Sequence, residues 1–321
     1  MELITGENDS GRRLDRILRK ALPVLSLPLI YKLLRRKKVL IDGVPASAQD
    51  RPERGAKITI LSLKNIPQDG TAPENFKKNR RSKNSQISPG LILMEENGLL
   101  AVNKPAGLSV HGPDSLNEEV RSYLEDKLPP SLSFKPGPLH RLDKPSSGII
   151  VFSASLEGAR LFSSLIKEHK VKKTYLAIVE GEVKNETLWH DDLVRDRELK
   201  KTFISKENPH LKRTTDSKNA LTKVRCKSTN GKYSLIEAEI VTGRTHQIRA
   251  QAAHHGHPLA GDVKYGGKKI TNEKRAAFFL HAQKLEFLDY EIEAPLPQEF
   301  INMIKTLFGI DSNMNSNRFA D

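Results

Sequence analysis

One short segment places an acid and a base beside an apolar strand, in the stretch HRLDKPSSGIIVFS (140–153). Arg141 and Asp143 are two residues apart, while Pro145 restrains the backbone and Gly148 frees it. A carboxylate that is half-sheltered at the mouth of such a strand needs a neighbouring cation to stay ionised. The candidate cations are Arg141, Arg244 and Arg249. From spacing alone, an ordinary surface ion pair contributing about 0–1 kcal/mol is the favoured interpretation.

Three further segments are rich in charged residues, glycine and proline, at 103–113, 174–181 and 242–266. The histidine cluster of the third segment lacks the carboxylate-linked i, i+4 spacing of a zinc helix, so we predict no metal there. The histidines concerned are His254, His255 and His257. We interpret His111 and His140 as hydrogen-bonding loop residues, and Asp262 as a capping or paired carboxylate. The sequence has no glycine loop of the kind that cradles triphosphates or dinucleotides, so no cofactor such as ATP or NAD is expected.

The positive charge of the chain is concentrated at its front. The formal net charge is +14, and positions 1–90 carry 19 basic and 9 acidic residues, whereas the rest carries 34 and 30. Such a field favours a polyanionic partner, either nucleic acid or an acidic membrane surface, over solubility alone. A single cysteine, Cys226, excludes an internal disulfide, and no run approaches the ~20 apolar residues of a membrane span. The polar first residues do not have the pattern of a signal peptide, so a cytoplasmic location is expected.

Residues 12–63 have the pattern of a compact unit with two helices and a small sheet. Apolar residues recur at helical spacing from Leu14 onward, and Ser26 is a candidate N-cap for the second helix. Two strand-like segments follow, with an Asp42-Gly43 turn after the first. The junction between the second helix and the first strand forms a basic face that we predict to bind RNA. Its residues are Arg35, Arg36, Lys37 and Lys38.

Composition divides the rest of the chain. Residues 64–90 are rich in proline, asparagine, serine and lysine, which predicts a flexible linker whose basic cluster either touches phosphates or is simply solvated. Residues 91–310 are globular in composition, and 311–321 are predicted to form a disordered tail. Strand patterns outnumber helix patterns in the globular part, which predicts an α+β fold with a mixed, mainly antiparallel sheet and flanking helices. Strands are predicted within 91–105, 148–155, 173–183, 233–241 and 276–288, and helices within 156–171 and 245–256.

The stretch RRLDRILRKALPVLSLPLIYKLLRRKKVLIDGVPA (12–46) resembles the small alpha-L RNA-binding domain that a ribosomal protein shares with several RNA-modifying enzymes. Members of that group often have glycine where Lys37 or Lys38 stands, and Gly-Asp where Gly55-Ala56 stands. The resemblance implies a small α/β RNA-binding domain over residues 1–63.

Five segments of the larger part occur in the order found in the RluA-type pseudouridine synthases. HRLDKPSSG is similar to the catalytic loop of that family, with Ser146 where threonine is usual. The other similar segments are NKPAGLSVHGP (103–113), KKTYLAIVEG (172–181), TGRTHQIRAQAAHHGHPLAGDVKYGG (242–267) and FFLHAQKLEF (278–287). Ala250-Gln251 stands where the family often has Val-His. The resemblance implies that residues 91–310 form the catalytic domain of an isomerase, an RNA pseudouridine synthase.

The resemblance also implies a role for each matching residue. Asp143 is the catalytic carboxylate, which attacks or deprotonates the sugar while the glycosidic bond breaks; the uracil then turns and rejoins through carbon 5. Arg141 enters the RNA stack when the target nucleotide is flipped out, because a guanidinium both stacks on bases and binds phosphates. Tyr175 packs on the uracil, Leu280 lines its pocket, and Arg249 keeps the carboxylate ionised. Glycosidases commonly use two carboxylates, which flank the scissile bond. In this reaction no water attacks the sugar, because the base rejoins it, so a single carboxylate is sufficient.

A front alpha-L domain joined by a linker resembles the family members that act on large-subunit ribosomal RNA. Transfer RNA is the other substrate considered, and we expect the protein to be a monomer. Two other functions also fit the residues, a non-catalytic RNA-binding or ribosome-assembly factor and a nuclease or hydrolytic nucleosidase. The first would leave the nucleotide content of bound RNA unchanged, and the second would change the mass of the product, whereas isomerisation preserves it.

Overall fold

The computed structural model describes residues 1–61, 87–206, 217–270 and 278–310. These residues form an N-terminal unit (1–61) and a larger unit (the described residues from 87 to 310), each with its own sheet and apolar core. The predicted linker (64–90) lies outside the described residues except for its last four positions. The predicted tail (311–321) lies entirely outside them.

The N-terminal unit combines two short helices with a four-stranded antiparallel sheet of order β1-β4-β2-β3. Its elements are β1 (Glu2–Ile4), α1 (Leu14–Ala21), α2 (Leu27–Arg35), β2 (Val39–Ile41), β3 (Val44–Pro45) and β4 (Lys57–Ile60). The helical spacing of Leu14, Ile17 and Leu18 places these side chains on one face of α1. They are buried in one cluster with Ile58 and Ile60 of β4. The predicted order of two helices and then strands is confirmed, and β1 is an additional strand.

The turn that ends α2 contains the four basic residues of the predicted RNA-binding face, and all four are exposed. The N–H of Lys38 donates to the carbonyl of Leu33 at 2.9 Å, and that of Lys37 to Leu34 at 3.0 Å, as in a Schellman C-cap. Lys37 occupies the left-handed position of this cap, with φ 54. A side chain at such a position costs roughly 1 kcal/mol relative to glycine. The lysine therefore keeps a positive charge where the backbone favours glycine.

The larger unit is built on one mixed, mainly antiparallel sheet of eleven strands, which confirms the predicted α+β fold. Its strands are β5 (Ile92–Glu96), β6 (Leu99–Lys104), β7 (Gly137–Pro138), β8 (Ser147–Ser153), β9 (Lys172–Glu180), β10 (Thr187–Asp196), β11 (Lys201–Ile204), β12 (Lys218–Thr229), β13 (Tyr233–Ile240), β14 (Leu280–Phe287) and β15 (Tyr290–Glu293). Its helices are α3 (Leu116–Leu124), α4 (Leu156–Lys167), α5 (Gln247–His254) and α6 (Gln298–Phe308).

The strand order across this sheet is β11-β10-β12-β13-β9-β14-β8-β6-β5, with β15 paired to β14 and β7 to β8. Among the pairs that the described residues form, β14 and β8 run parallel and the others antiparallel. Strands β7, β10 to β12 and β15 and helices α3 and α6 are additional to the predicted elements. In β10, the charged sequence TLWHDDLVRD hides the apolar alternation that predicts a strand.

Helices cover both faces of the sheet, so its central strands are buried on both sides. All 7 residues of β8 are buried. Ile150 and Phe152 belong to the core beneath α3 and α5, whereas Ile149 and Val151 share the opposite core with Phe162 of α4. This double burial accounts for the uninterrupted apolar run in the sequence of β8. The loop that contains Asp143 leads directly into this rigid strand.

The two units meet at a buried carboxylate, Asp9, which is 0% exposed. Its oxygens accept the backbone N–H groups of Leu132 and Ser133 at 2.8 and 2.9 Å, and the hydroxyls of Ser131 and Ser133 at 2.8 and 2.6 Å. The N–H of Gly6 adds a bond at 3.0 Å. Burial raises the pKa of Asp9, but these hydrogen bonds outweigh burial and the net shift is downward. An ionised Asp9 therefore fixes the N-terminal unit to the segment 131–133.

Three further contacts support this junction. The side-chain oxygen of Asn8 accepts the N–H of Leu156 at 2.8 Å, so the N-terminal unit satisfies the first N–H of α4. Arg12 donates to the carbonyl of Ser133 at 3.2 Å. A Cβ on Gly6 would overlap the carbonyl oxygen of Pro130, so glycine permits the close approach of the two backbones.

We predict that Asp9→Asn lowers the free energy of unfolding of the full chain by about 2–3 kcal/mol. The amide keeps one oxygen but places an NH2 group at the other position, so it opposes a donor with a donor at either the Leu132 N–H, which now goes to Oδ2, or the Ser133 N–H, which now goes to Oδ1. Urea unfolding measures the loss. Glu7→Gln is the matched control, since Glu7 is exposed and makes a loose 3.8 Å pair with Arg54. Equal stability of Asp9→Asn and Glu7→Gln would contradict the role assigned to Asp9.

Candidate active site

Asp143 lies in the loop between β7 and β8, hereafter the Asp143 loop (residues 139–146). Just beyond this loop, Gly148 has φ 104, and a Cβ there would overlap the backbone of Ala282 in β14. Glycine at this position therefore allows β8 and β14 to pair directly beneath the loop. The neighbouring Ser147 bonds through its hydroxyl to Nδ1 of the buried His281 at 2.8 Å. The loop is thus anchored at its C-terminal end to the centre of the sheet.

A buried lysine at the end of β6, Lys104, contacts the Asp143 loop. Lys104 is 0% exposed, and its Nζ donates to the carbonyl oxygens of Pro105, Leu108 and Lys144 at 2.9, 2.9 and 3.2 Å. Burial lowers the pKa of Lys104 to about 8, and the negative charge of Asp143 opposes this shift. All three ammonium hydrogens have an acceptor, so the lysine ties the segment 104–108 to the Asp143 loop.

Arg249 of α5 is the candidate cation that contacts Asp143. Its Nη1 lies 2.9 Å from Asp143 Oδ2, while its Nε and Nη2 donate to the two oxygens of Asp262 at 2.6 and 2.8 Å. Its guanidinium carbon lies 4.8 Å from the ring centre of Tyr265 and 4.4 Å from that of Phe278. The side chains of Arg249 and Asp143 are only 8% and 16% exposed. The interpretation as a surface ion pair, which spacing alone favoured, is therefore wrong.

The bonds of Arg249 divide its donors between two carboxylates. Asp262, which is 2% exposed, takes two parallel hydrogen bonds and so fixes the plane of the guanidinium. Nη1 is left to point at Asp143. Burial lowers the pKa of Arg249, but the hydrogen bonds and charges of Asp262 and Asp143 outweigh burial, and the net shift is upward. The cation therefore persists in a place with little water, and Asp262 has the paired role expected for it.

The structure brings the predicted catalytic and substrate residues together around one cavity. They are Arg141, Asp143, Tyr175, Arg249 and Leu280. Tyr175 and Leu280 stand on the neighbouring strands β9 and β14, are each 7% exposed, and form an apolar wall. Burial raises the pKa of Tyr175, and the charge of Asp143 raises it further, so its phenol is neutral at physiological pH. The cavity thus pairs one ion pair with an apolar surface suited to a planar ring.

Two other arginines line the same cavity. Arg141 is exposed. Arg244 donates from Nε to the carbonyl of Asn219 at 2.9 Å and contributes no bond to Asp143. The basic residues 35–38 are exposed on the N-terminal unit and do not line this cavity.

The structure adds three residues to the predicted set, and they are Arg195, His246 and Tyr265. His246 Nε2 lies 3.6 Å from Asp143 Oδ1, and its Nδ1 lies 2.8 Å from the hydroxyl of Tyr265 and 3.3 Å from Arg195 Nη1. His246 and Tyr265 lie inside the segment 242–267, so the sequence analysis identified their segment as functional but not the two residues themselves. No pattern marks Arg195, which reaches the site from the unpredicted strand β10.

Two further histidines of the predicted loops, His140 and His257, make structural contacts. His140 Nε2 accepts the N–H of Val151 at 3.0 Å, and burial lowers the pKa of His140 to about 3. A neutral ring that accepts a backbone bond matches the hydrogen-bonding role expected for it. His257 Nδ1 lies 3.0 Å from the carbonyl of Glu180.

One cluster has the composition of a metal site. Possible ligand atoms of Asp191, His254 and His255 lie within 4.8 Å of one another. His255 Nε2 is 3.1 Å from Asp191, and the His255 ring stacks on Trp189 at 5.2 Å. Gln251 also donates to Asp191, at 2.7 Å. Hydrogen bonds thus satisfy the carboxylate without an ion, and the absence of a metal stays a prediction.

Comparisons with known proteins identify the family of the chain. A sequence model of the family described as RNA pseudouridylate synthase matches residues 98–254. "Ribosomal large subunit pseudouridine synthase C" of Rickettsia bellii is 30% identical over 310 residues, covering 93% of this chain and 99% of the relative. The protein of the same name from Rickettsia felis is 32% identical over 298 residues, covering 90% and 94%. The solved structure "Human RNA Pseudouridylate Synthase Domain Containing 4" superposes with a TM-score of 0.54 at 21% identity, covering 66% of this chain and 91% of that one, which shows the likeness of fold.

The sheet, the ordered segments and the full-length relatives define an enzyme that acts on RNA. The chain belongs to the RNA pseudouridylate synthase family, and it is an isomerase, an RNA pseudouridine synthase. In the part of the chain that the structure describes, no helix is long and apolar enough to cross a membrane.

We predict that Lys104→Met lowers the free energy of unfolding by about 3 kcal/mol, because three buried carbonyls lose a charged donor. The loosened loop should also slow pseudouridine formation. Urea unfolding and initial rates measure the two effects. Lys144→Met is the matched control, since Lys144 is an exposed residue of the same loop. The bonding scheme fails if both variants unfold at the same urea concentration.

Proposed function

We propose that this enzyme isomerises uridines of large-subunit ribosomal RNA, with Asp143 as the catalytic carboxylate. The observation that carries the proposal is the 2.9 Å pair of Asp143 and Arg249 in a cavity walled by Tyr175 and Leu280. The ribosomal substrate is supported by the printed names of relatives that align over nearly their whole length. Transfer RNA is the alternative substrate.

The proposed chemistry needs one carboxylate and a pocket that retains the base. Asp143, held ionised by Arg249, attacks C1′ or takes a proton from the sugar while the C1′–N1 bond breaks. The freed uracil turns against Tyr175 and Leu280, and its C5 forms a bond to C1′ while the bond from Asp143 to C1′ breaks or, if Asp143 acted as a base, the proton returns to the sugar. The hydrogen of C5 then leaves as a proton while N1 gains one, so the composition of the nucleotide is unchanged. A neutral phenol at Tyr175 suits the packing of the ring, because no second charge competes with the carboxylate.

Access of a uridine to this cavity requires that the nucleotide leaves the RNA stack. Arg141 is the proposed side chain that fills the vacated space, since it is exposed and lines the cavity. The N-terminal unit is the proposed RNA-binding domain, and residues 35–38 would contact phosphates. Lys37 supports this role because its charge is kept where the backbone favours glycine. We further propose that the protein acts as a monomer in the cytoplasm.

We predict that Asp143→Asn abolishes isomerisation, with a loss of at least about 1000-fold in kcat, while RNA binding is retained. The amide keeps the size of the side chain but removes the charge and the nucleophilic oxygen. The assay uses a large-subunit ribosomal RNA transcript labelled with tritium at carbon 5 of uracil, because the isomerisation releases that hydrogen to water. Asp126→Asn is the matched control, since Asp126 is exposed at the end of α3.

The outcomes of this assay separate the candidate functions. Release by the unmodified enzyme and by Asp126→Asn, but not by Asp143→Asn, supports the proposal. Normal release by Asp143→Asn would refute the role of Asp143. A non-catalytic binding factor would release no tritium at all, and a nucleosidase would release free base. Faster release from a transfer RNA transcript than from ribosomal RNA would refute the proposed substrate.

A further inference from the structure

His246 stands between the Asp143 loop and the residues that follow α5. Its side chain is 13% exposed, and its Nε2 faces Asp143 Oδ1 at 3.6 Å. Its other ring nitrogen, Nδ1, lies 2.8 Å from the hydroxyl of Tyr265 and 3.3 Å from Arg195 Nη1. The imidazole therefore bridges the carboxylate on one side and two polar groups on the other.

Of the two groups at Nδ1, Arg195 can only donate, and the hydroxyl of Tyr265 is able to donate. The hydroxyl oxygen of Tyr265 accepts the N–H of Thr202 at 2.8 Å, and its own hydrogen can be donated to His246. A guanidinium has donors only, so Arg195 also offers a hydrogen. Nδ1 must then be an acceptor without a hydrogen. A neutral imidazole in this setting carries its single hydrogen on Nε2, the nitrogen that faces Asp143.

Burial, together with the charged groups around the ring, sets the protonation state of His246. Asp143 faces it from its loop, Arg249 from α5, Arg195 from β10, and Lys264 from the turn before Tyr265. Burial lowers the pKa of His246 to about 4, the carboxylate opposes this shift, and the three cations reinforce it. The ring is therefore an uncharged donor near neutral pH.

We propose that His246 is a positioning residue, which donates an Nε2–H hydrogen bond to Oδ1 of Asp143 in the complex with RNA. The inference rests on the proposed catalytic role of Asp143. Arg249 holds only Oδ2, at 2.9 Å, so the carboxylate can still rotate about that contact. A second donor on Oδ1 fixes its plane without adding a charge. The 3.6 Å separation shortens to a hydrogen bond when substrate closes the site, as catalytic contacts commonly do.

The backbone of His246 supports a functional reason for its position. The residue has φ 55, in the left-handed region, and it directly precedes α5. Such a conformation is unfavourable for a residue with a Cβ, and it persists where surrounding contacts hold it. Here the contacts with Tyr265, Arg195 and Asp143 hold the ring. Asparagine tolerates this conformation better than most residues, so a variant with asparagine is expected to fold.

Two substitutions test the roles of Nδ1 and Nε2 of His246 separately. In His246→Asn, the side-chain oxygen can still accept from Tyr265 and Arg195 near the position of Nδ1, but no donor reaches Asp143. In His246→Gln, the longer amide places an N–H near the position of Nε2. We expect His246→Asn to lose about 100-fold in kcat with KM changed less than about threefold, and His246→Gln to stay within about tenfold of the unmodified kcat. Equal rates for the two variants, or no loss in His246→Asn, would overturn the positioning role.

Nitrogen-15 NMR of the histidine-labelled full chain gives a readout that is independent of activity. The chain has 10 histidines, and the signal that is lost in His246→Asn identifies the ring of interest. We expect the neutral Nε2–H form, with no titration between about pH 8 and pH 5. Tyr265→Phe should shift the ring toward the Nδ1–H form, because it removes one donor. An Nδ1–H ring in the unmodified protein, or titration near pH 6.5, would overturn the inference.

These measurements also distinguish failure of the inference from failure of the proposed function. If Asp143→Asn retained its activity, the proposed chemistry would fail, while the NMR form of His246 would be unaffected. If the Nε2–H form were found and His246→Asn were as fast as the unmodified enzyme, the positioning role would fail and that of Asp143 would stand.

Discussion

The guanidinium of Arg249 binds two carboxylates that the chain brings from different elements, Asp143 from the loop before β8 and Asp262 from the turn after α5. Charges held away from water are tolerated only when each has its partners, and removal of one partner typically costs about 3–5 kcal/mol. The rings of Tyr265 and Phe278 lie close to the same group. The position of α5 relative to the Asp143 loop is thus set by this shared cation.

The surroundings of this cation limit the freedom of the Asp143 loop. Lys104 holds the loop from β6 through three carbonyl bonds, and Gly148 lets β8 approach β14 directly beneath it. Tyr175 and His246 stay neutral because they are buried, so neither side chain adds a charge beside the ion pair of Asp143 and Arg249. A reacting carboxylate that is held in place before substrate arrives loses little freedom in the reaction, which is the main advantage of such a scaffold.

Much of this arrangement can be predicted from the sequence. The rest depends on contacts between distant residues, which no local pattern predicts. The apolar run of β8 and the helical spacing of α1 identify those elements, and the ordered segments indicate Asp143, Tyr175 and Arg249. Spacing could not reveal that Asp143 is buried, because shelter comes from α5, about a hundred residues later in the chain. The contact of Arg195 with the site depends on β10, whose charges hide its strand pattern. The Asp9 junction joins residues more than 120 positions apart.

The most direct test of this account is the kcat of the double variant Arg249→Met/Asp262→Asn. Methionine fills the volume of the arginine, and the second substitution removes the carboxylate that would otherwise be buried without a partner, so the variant is expected to fold and to bind RNA. We predict a loss of at least about 100-fold in kcat, because Asp143 keeps its charge but loses the group that orients it. A folded double variant with near-normal turnover would contradict the central role of Arg249.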